Sequence, residues 1–84
     1  PSADLAACMA LASAVRDTPL EGDVCYLGEV GLAGEVRPVA RLALRLREAA
    51  RLGFRRAFVS SRERELRARG IETVPVGHVA EALG

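Results

Sequence analysis

No lysine occurs anywhere in the 84-residue chain; all twelve of its basic residues are arginine. A phosphate-binding P-loop is therefore excluded, because that motif needs a lysine to reach the phosphates. Tryptophan is missing too, and one tyrosine with two phenylalanines is a thin aromatic supply for stacking bases or lining a large ligand pocket. The two cysteines, Cys8 and Cys25, are too few and too far apart for a disulfide scaffold or a zinc site. Both are expected to be buried, reduced core residues. No apolar run approaches the roughly 20 residues of a membrane span, and no signal-peptide pattern is present. A soluble, cytoplasmic chain with no membrane contact is the expectation.

What is present is an apolar half, mostly Ala, Leu and Val, which argues against disorder. A chain this short buries only about 60 % of its unfolded surface, so the core is modest. The net charge of +1 hides an asymmetry. Residues 1–36 carry one arginine against six acids, residues 37–56 carry seven arginines against Glu48 alone, and residues 57–84 balance.

The spacing of Leu5, Cys8, Met9, Ala12 and Val15 predicts a helix. Ser2 is placed to cap it, Asp4 favours its positive end, and Pro19 stops it near Asp17. Residues 24–30 predict a strand, Gly31-Leu-Ala-Gly34 a turn, and 35–39 a return strand. A second helix is expected over 41–52, with Leu42, Leu46, Ala49 and Ala50 on one face and Gly53 at its end. A strand over 55–59, a charged helix over 62–69, a strand over 71–74 and a last helix over 77–83 complete the order α-β-β-α-β-α-β-α. Strand–helix–strand at the end implies a parallel, right-handed crossover. The fold class is α/β (α+β). Residues 1–84 read as a single domain, and opening on a helix cap suggests the C-terminal part of a longer chain.

Three segments carry a resemblance: PSADLAACMALASAVRDTPL at 1–20, GEVGLAGEVRPV at 28–39 and LREAARLGFRRAFV at 46–59. Together the chain resembles the C-terminal Lon-protease-like domain of the bacterial RadA (Sms) family. More distantly it is similar to the Lon peptidase domain, whose Pro-Ser-Ala-Gly segment presents a nucleophilic serine and whose later helix bears the catalytic lysine. The resemblance implies a Lon-protease-like, ribosomal protein S5 domain 2-like fold. It places Ser2 at the nucleophile position, Asp4 where peptidases usually have glycine, and Arg45 in place of the lysine.

That last substitution decides the chemistry. A serine–lysine dyad needs an amine that can be neutral and take the serine proton. A guanidinium stays charged, so Arg45 can orient an anion but cannot act as the base. His78 is the one other plausible base, and neither family motif uses a histidine there. No catalytic residue is expected. The alternative is a peptidase-like serine hydrolase with an unorthodox base; a stand-alone Lon-like protein of unrelated role is a third possibility.

RadA proteins join a zinc finger and a RecA-like ATPase core to this domain, assemble as ring hexamers and act on branched or single-stranded DNA. The resemblance therefore implies a homo-oligomer and DNA as partners. It implies no cofactor in these residues, with ATP and zinc belonging to N-terminal parts. The arginine-rich segment has the right sign for phosphate, which singles out Arg41, Arg47 and Arg51 as candidate DNA contacts. On the same helix Leu44 and Leu52 point away from the core stripe and suggest a second contact, with a neighbouring subunit or another part of the domain.

Overall fold

Alternation along the short apolar strands decides the architecture, because each strand has a helix to satisfy on either side. The computed structural model describes residues 3–16 and 22–83. Strands β2 (Val24–Leu27), β5 (Arg56–Ser60) and β6 (Glu72–Val76) form a parallel sheet in the order β2-β5-β6. Tyr26 stands opposite Phe58, and Phe58 opposite Val74. Strands β1 (Ala3–Asp4), β3 (Glu29–Val30) and β4 (Val36–Arg37) form a separate small antiparallel sheet in the order β1-β3-β4. Helices α1 (Leu5–Arg16), α2 (Leu42–Arg51) and α3 (Val79–Leu83) complete the fold, a mixed α/β arrangement.

The period of two splits the core into two clusters. On one face of the parallel sheet, Ala57 and Val59 meet Leu42, Leu46 and Ala49 of α2, with Ile71 beside them. On the other face, Tyr26, Phe58 and Val74 pack against Leu5 and Met9 of α1 and Leu83 of α3. Tyr26 and Phe58 lie stacked, their centroids 5.3 Å apart. A parallel sheet covered on both faces is the usual way such strands avoid water. Pro75 is accommodated because β6 is an edge strand, where a missing N–H costs no ladder bond.

Helix α2 follows the expected pattern, with Leu42, Leu46 and Ala49 buried at i, i+4 and i+7. It ends in a Schellman motif: Gly53 N–H donates to the Ala50 carbonyl at 3.1 Å and Phe54 N–H to the Ala49 carbonyl at 3.0 Å.

Four expectations need correction. The charged helix over 62–69 is absent; a single 3-10 turn spans Ser61–Glu63, and the chain then runs irregularly to β6. The Arg64 and Arg67 guanidinium groups donate to the carbonyls of Ser61, and of Arg64 and Leu66, taking up acceptors that a helix would use. The segment also lacks an apolar stripe to hold a helix against the sheet. The strand over 24–30 is broken at Gly28, which leaves β2 and β3 in different sheets. A β-carbon at Gly28 would lie 3.0 Å from Val36 Cγ1, so the strands close on a position with no side chain. A strand, β1, does precede α1, pairing Asp4 with Glu29. Asp4 is the cap of α1: its Oδ1 accepts from the N–H groups of Ala6 at 2.8 Å and Ala7 at 3.2 Å. Ser2, to which the cap was assigned, lies outside the described residues, as does the predicted stop at Asp17. Finally, Cys8 and Cys25 are free but only half-buried. Burial pushes the Cys25 thiol pKa up.

Candidate functional site

The start of α1, the break at Gly28 and the first turn of α2 meet around one cavity of about 200 Å³, lined by Asp4, Tyr26, Gly28, Glu29, Val39 and Arg45 among others. Leu5 N–H donates to the Gly28 carbonyl at 2.9 Å and fixes the start of α1 to the strand break. The arrangement brings Arg45 and Asp4, distant in sequence, onto one lining. Ser2 lies outside the described residues, so its side chain enters no distance here.

Chemically this cavity lacks the neutral amine that a serine–lysine dyad needs. Arg45 Nε donates to the Ala40 carbonyl at 2.8 Å, which ties the guanidinium to the loop before its own helix. Asp4 spends one carboxylate oxygen on two backbone N–H groups. Of these groups the guanidinium cannot take a proton, whereas the Asp4 carboxylate keeps its second oxygen.

His78 stands elsewhere. Its Nε2 lies 3.0 Å from the Ala33 carbonyl, and its Nδ1 accepts from Ala80 N–H at 3.1 Å. The Nδ1 acceptor role assigns the ring proton to Nε2, which donates to Ala33. Glu81 Oε1 accepts from the N–H groups of Gly77 and His78, both at 2.8 Å. His78 is therefore a cap for α3 and a clasp on the 31–34 turn, and it does not line the Arg45 cavity. Beside that turn Glu35 accepts from Arg37 at 2.8 Å and from Ala33 N–H at 3.1 Å. Its own backbone N–H, then Arg37 and Ala33, hold the Glu35 pKa below the ordinary carboxylate value.

The remaining candidate residues lie on two flanks of α2. On one, Leu44 and Leu52 are 39 % and 74 % exposed and line a groove of about 480 Å³ with Arg41, Arg45, Cys25 and Phe54. On the other, Arg47 and Arg51 border a wider hollow together with Arg67 and Arg69. The last two were missed by counting charge along the chain, because residues 57–84 sum to zero. The arginine excess at 37–56 is also less free than its count suggests. Arg37 pairs with Glu35 at 2.8 Å, Arg51 with Glu48 at 3.1 Å and Arg56 with Glu72 at 3.3 Å. Among the described residues, no group of three or more His, Cys, Asp or Glu side chains is placed to hold a metal ion. Nor is any described helix long and apolar enough to cross a membrane.

Comparison with known proteins gives one family model over residues 1–81, the Lon protease (S16) C-terminal proteolytic domain. The chain is 46 % identical over 85 residues to the DNA repair protein RadA of Bacillus subtilis, covering 99 % of this chain and 19 % of that protein. It is 46 % identical over 83 residues to the DNA repair protein RadA of Escherichia coli, covering 98 % and 18 %. With the DNA repair protein RadA of Synechocystis it shares 42 % over 83 residues, covering 99 % and 16 %. The chain thus spans less than a fifth of the length of these relatives.

Proposed function

Since the chain belongs to the Lon protease (S16) C-terminal proteolytic domain family, while its curated relatives are named DNA repair proteins, we propose that it is a non-catalytic Lon-like domain of a RadA-type repair and recombination ATPase. Its work in that protein is to support assembly and to add a contact to DNA. The observation that carries the reading is Arg45, which the resemblance puts at the position of the peptidase lysine: a permanently charged group, tied to the Ala40 carbonyl at 2.8 Å. A domain that keeps the family's sequence but lacks its base is retained for its surfaces.

Two surfaces support this. The groove bearing Leu44 and Leu52 is apolar and exposed, as expected where a neighbouring copy packs. Arg47 and Arg51 put exposed cations on one flank of α2, as expected where phosphates approach, whereas Arg41 precedes the helix and lines the leucine groove. The parallel sheet covered by helices is compatible with the Lon-protease-like, ribosomal protein S5 domain 2-like fold. In this reading the parent protein is a cytoplasmic ring hexamer, ATP and zinc are held by its other parts, and these residues bind no cofactor.

The test uses the full-length protein. Substituting Arg47 and Arg51 by glutamine is expected to weaken DNA binding about equally across sequences and to flatten its salt dependence. Binding that is unaltered at every salt concentration removes this helix from the DNA-facing surface.

A further inference from the structure

The hollow on the Arg47 flank of α2 was not visible in the sequence. It has a volume of about 700 Å³ and is lined by Ala43, Arg47, Ala50 and Arg51 of α2 and by the 67–70 segment. That segment brings in Arg67, Ala68, Arg69 and Gly70. We propose that this hollow is a phosphate-backbone site for nucleic acid, in which Arg67 and Arg69 complete a four-arginine rim begun by Arg47 and Arg51. The proposal rests on the DNA-contact reading above and deepens it, by naming a second element and two further residues.

The local structure explains how the four come together. Without the predicted helix over 62–69, the chain turns back toward α2 and closes an isolated bridge between Ala68 and Ile71. Gly70 comes so near α2 that a β-carbon there would lie 3.9 Å from Ala50 Cβ. Arg67 is steadied from behind, its guanidinium donating to the carbonyls of Arg64 and Leu66 and reaching Thr73 Oγ1 at 3.5 Å. Arg51 is held by Glu48 at 3.1 Å, an exposed pair that a phosphate can displace at little cost. Among the described residues, Arg47 and Arg69 have neither an ion pair nor a side-chain hydrogen bond.

Floor and rim together indicate the ligand class. Ala43, Ala50 and Ala68 leave room between the guanidinium groups, and no carboxylate lines the hollow. A protein partner would be expected to seat an aromatic or leucine anchor, and none lines this surface. A phosphodiester backbone needs only cations spaced along its path, and arginine meets phosphate with two parallel hydrogen bonds. With no aromatic on the rim, the contact is to backbone and carries no base sequence.

The experiment measures binding of the full-length protein to two unrelated DNA sequences as a function of salt. The double change Arg67→Gln with Arg69→Gln is expected to reduce the log–log salt slope by about 2, equally for both sequences. Arg69→Gln alone is expected to reduce it by about 1, and it disturbs no hydrogen bond of the folded chain. Heat denaturation of each variant checks that the segment still folds. An unchanged slope in both, with a reduced slope in the Arg47→Gln, Arg51→Gln protein, overturns the hollow and leaves the DNA contact on α2 standing. An unchanged slope in all three variants sinks both. A loss confined to association with another protein, with the DNA slope intact, assigns the hollow to an acidic partner and also overturns the proposal.

Discussion

Replacing Gly34 by alanine is expected to destabilise the fold by about 2 kcal/mol more than the same change at Gly53, though both glycines are left-handed, at φ 85° and 99°. Forcing an alanine into that region costs about 1–2 kcal/mol, and the loss of freedom in the unfolded chain is alike at both sites, so these contributions cancel in the comparison. The difference is what the methyl meets. At Gly53 nothing lies within 4 Å, whereas at Gly34 it would sit 2.4 Å from His78 Nε2 and 2.7 Å from Cε1. The imidazole has to leave. With it go the bond to the Ala33 carbonyl, of order 0.5–1.5 kcal/mol, and the cap on Ala80 N–H, of order 1 kcal/mol. Urea unfolding at neutral pH measures both variants, and a third and fourth carry His78→Ala in addition. The excess cost at Gly34 should vanish once His78 is gone, which makes it a coupling energy between neighbours. Equal losses at the two glycines with His78 in place would refute the reasoning.

Ser60 is fully buried, donates to the Val36 carbonyl at 3.1 Å and accepts from Arg62 N–H at 3.2 Å. Ser60→Ala should therefore cost about 1–3 kcal/mol in denaturant unfolding, and Ser60→Thr should not recover it in so tight a place. Glu35 titrates below the ordinary carboxylate value in the folded chain, so its contribution is fully present above that value and is lost as pH falls through the lowered one. Glu35→Gln should lower the urea midpoint at neutral pH and leave it equal to that of the unsubstituted chain at the acid end; a constant gap at all pH would contradict this. Leu44→Asp should weaken self-association of the full-length protein in light scattering with little loss of fold, because Leu44 is 39 % exposed. An unchanged mass distribution would dissociate the groove from assembly.

Elements with a long, single-minded pattern were legible. Helix α2 announced itself through Leu42, Leu46 and Ala49 and through Gly53, and these are the residues that bury it and end it. The parallel pairing of β5 and β6 was expected from a strand–helix–strand order, and it holds although only a 3-10 turn stands where the helix was expected. What was not legible depends on groups far away in sequence. Two-residue strands such as β1 carry no period, and the break at Gly28 is set by Val36, which approaches from β4. The 62–69 segment reads as helical by propensity, yet Arg67 bonds to the Arg64 and Leu66 carbonyls, and only Leu66 and Ala68 tie the segment to the core. Of the candidate site, the assignment of Arg45 to the lysine position rests on resemblance, whereas the union of Arg47 and Arg51 with Arg67 and Arg69 needed the fold. His78, weighed as a base, proved to be a clasp.

The central claim is that this member of a peptidase family has no peptidase chemistry, and a serine-reactive phosphonate probe tests it most directly. The full-length protein and its Ser2→Ala variant are incubated with the probe, and in parallel with unfolded casein and ATP. A serine hydroxyl near neutral pH reacts with such a probe only when a base takes its proton, and Arg45, bonded to the Ala40 carbonyl at 2.8 Å, is not one. No labelling and no cleavage are predicted for either protein. Labelling or cleavage that disappears in the Ser2→Ala variant would contradict the account and make the domain a working hydrolase.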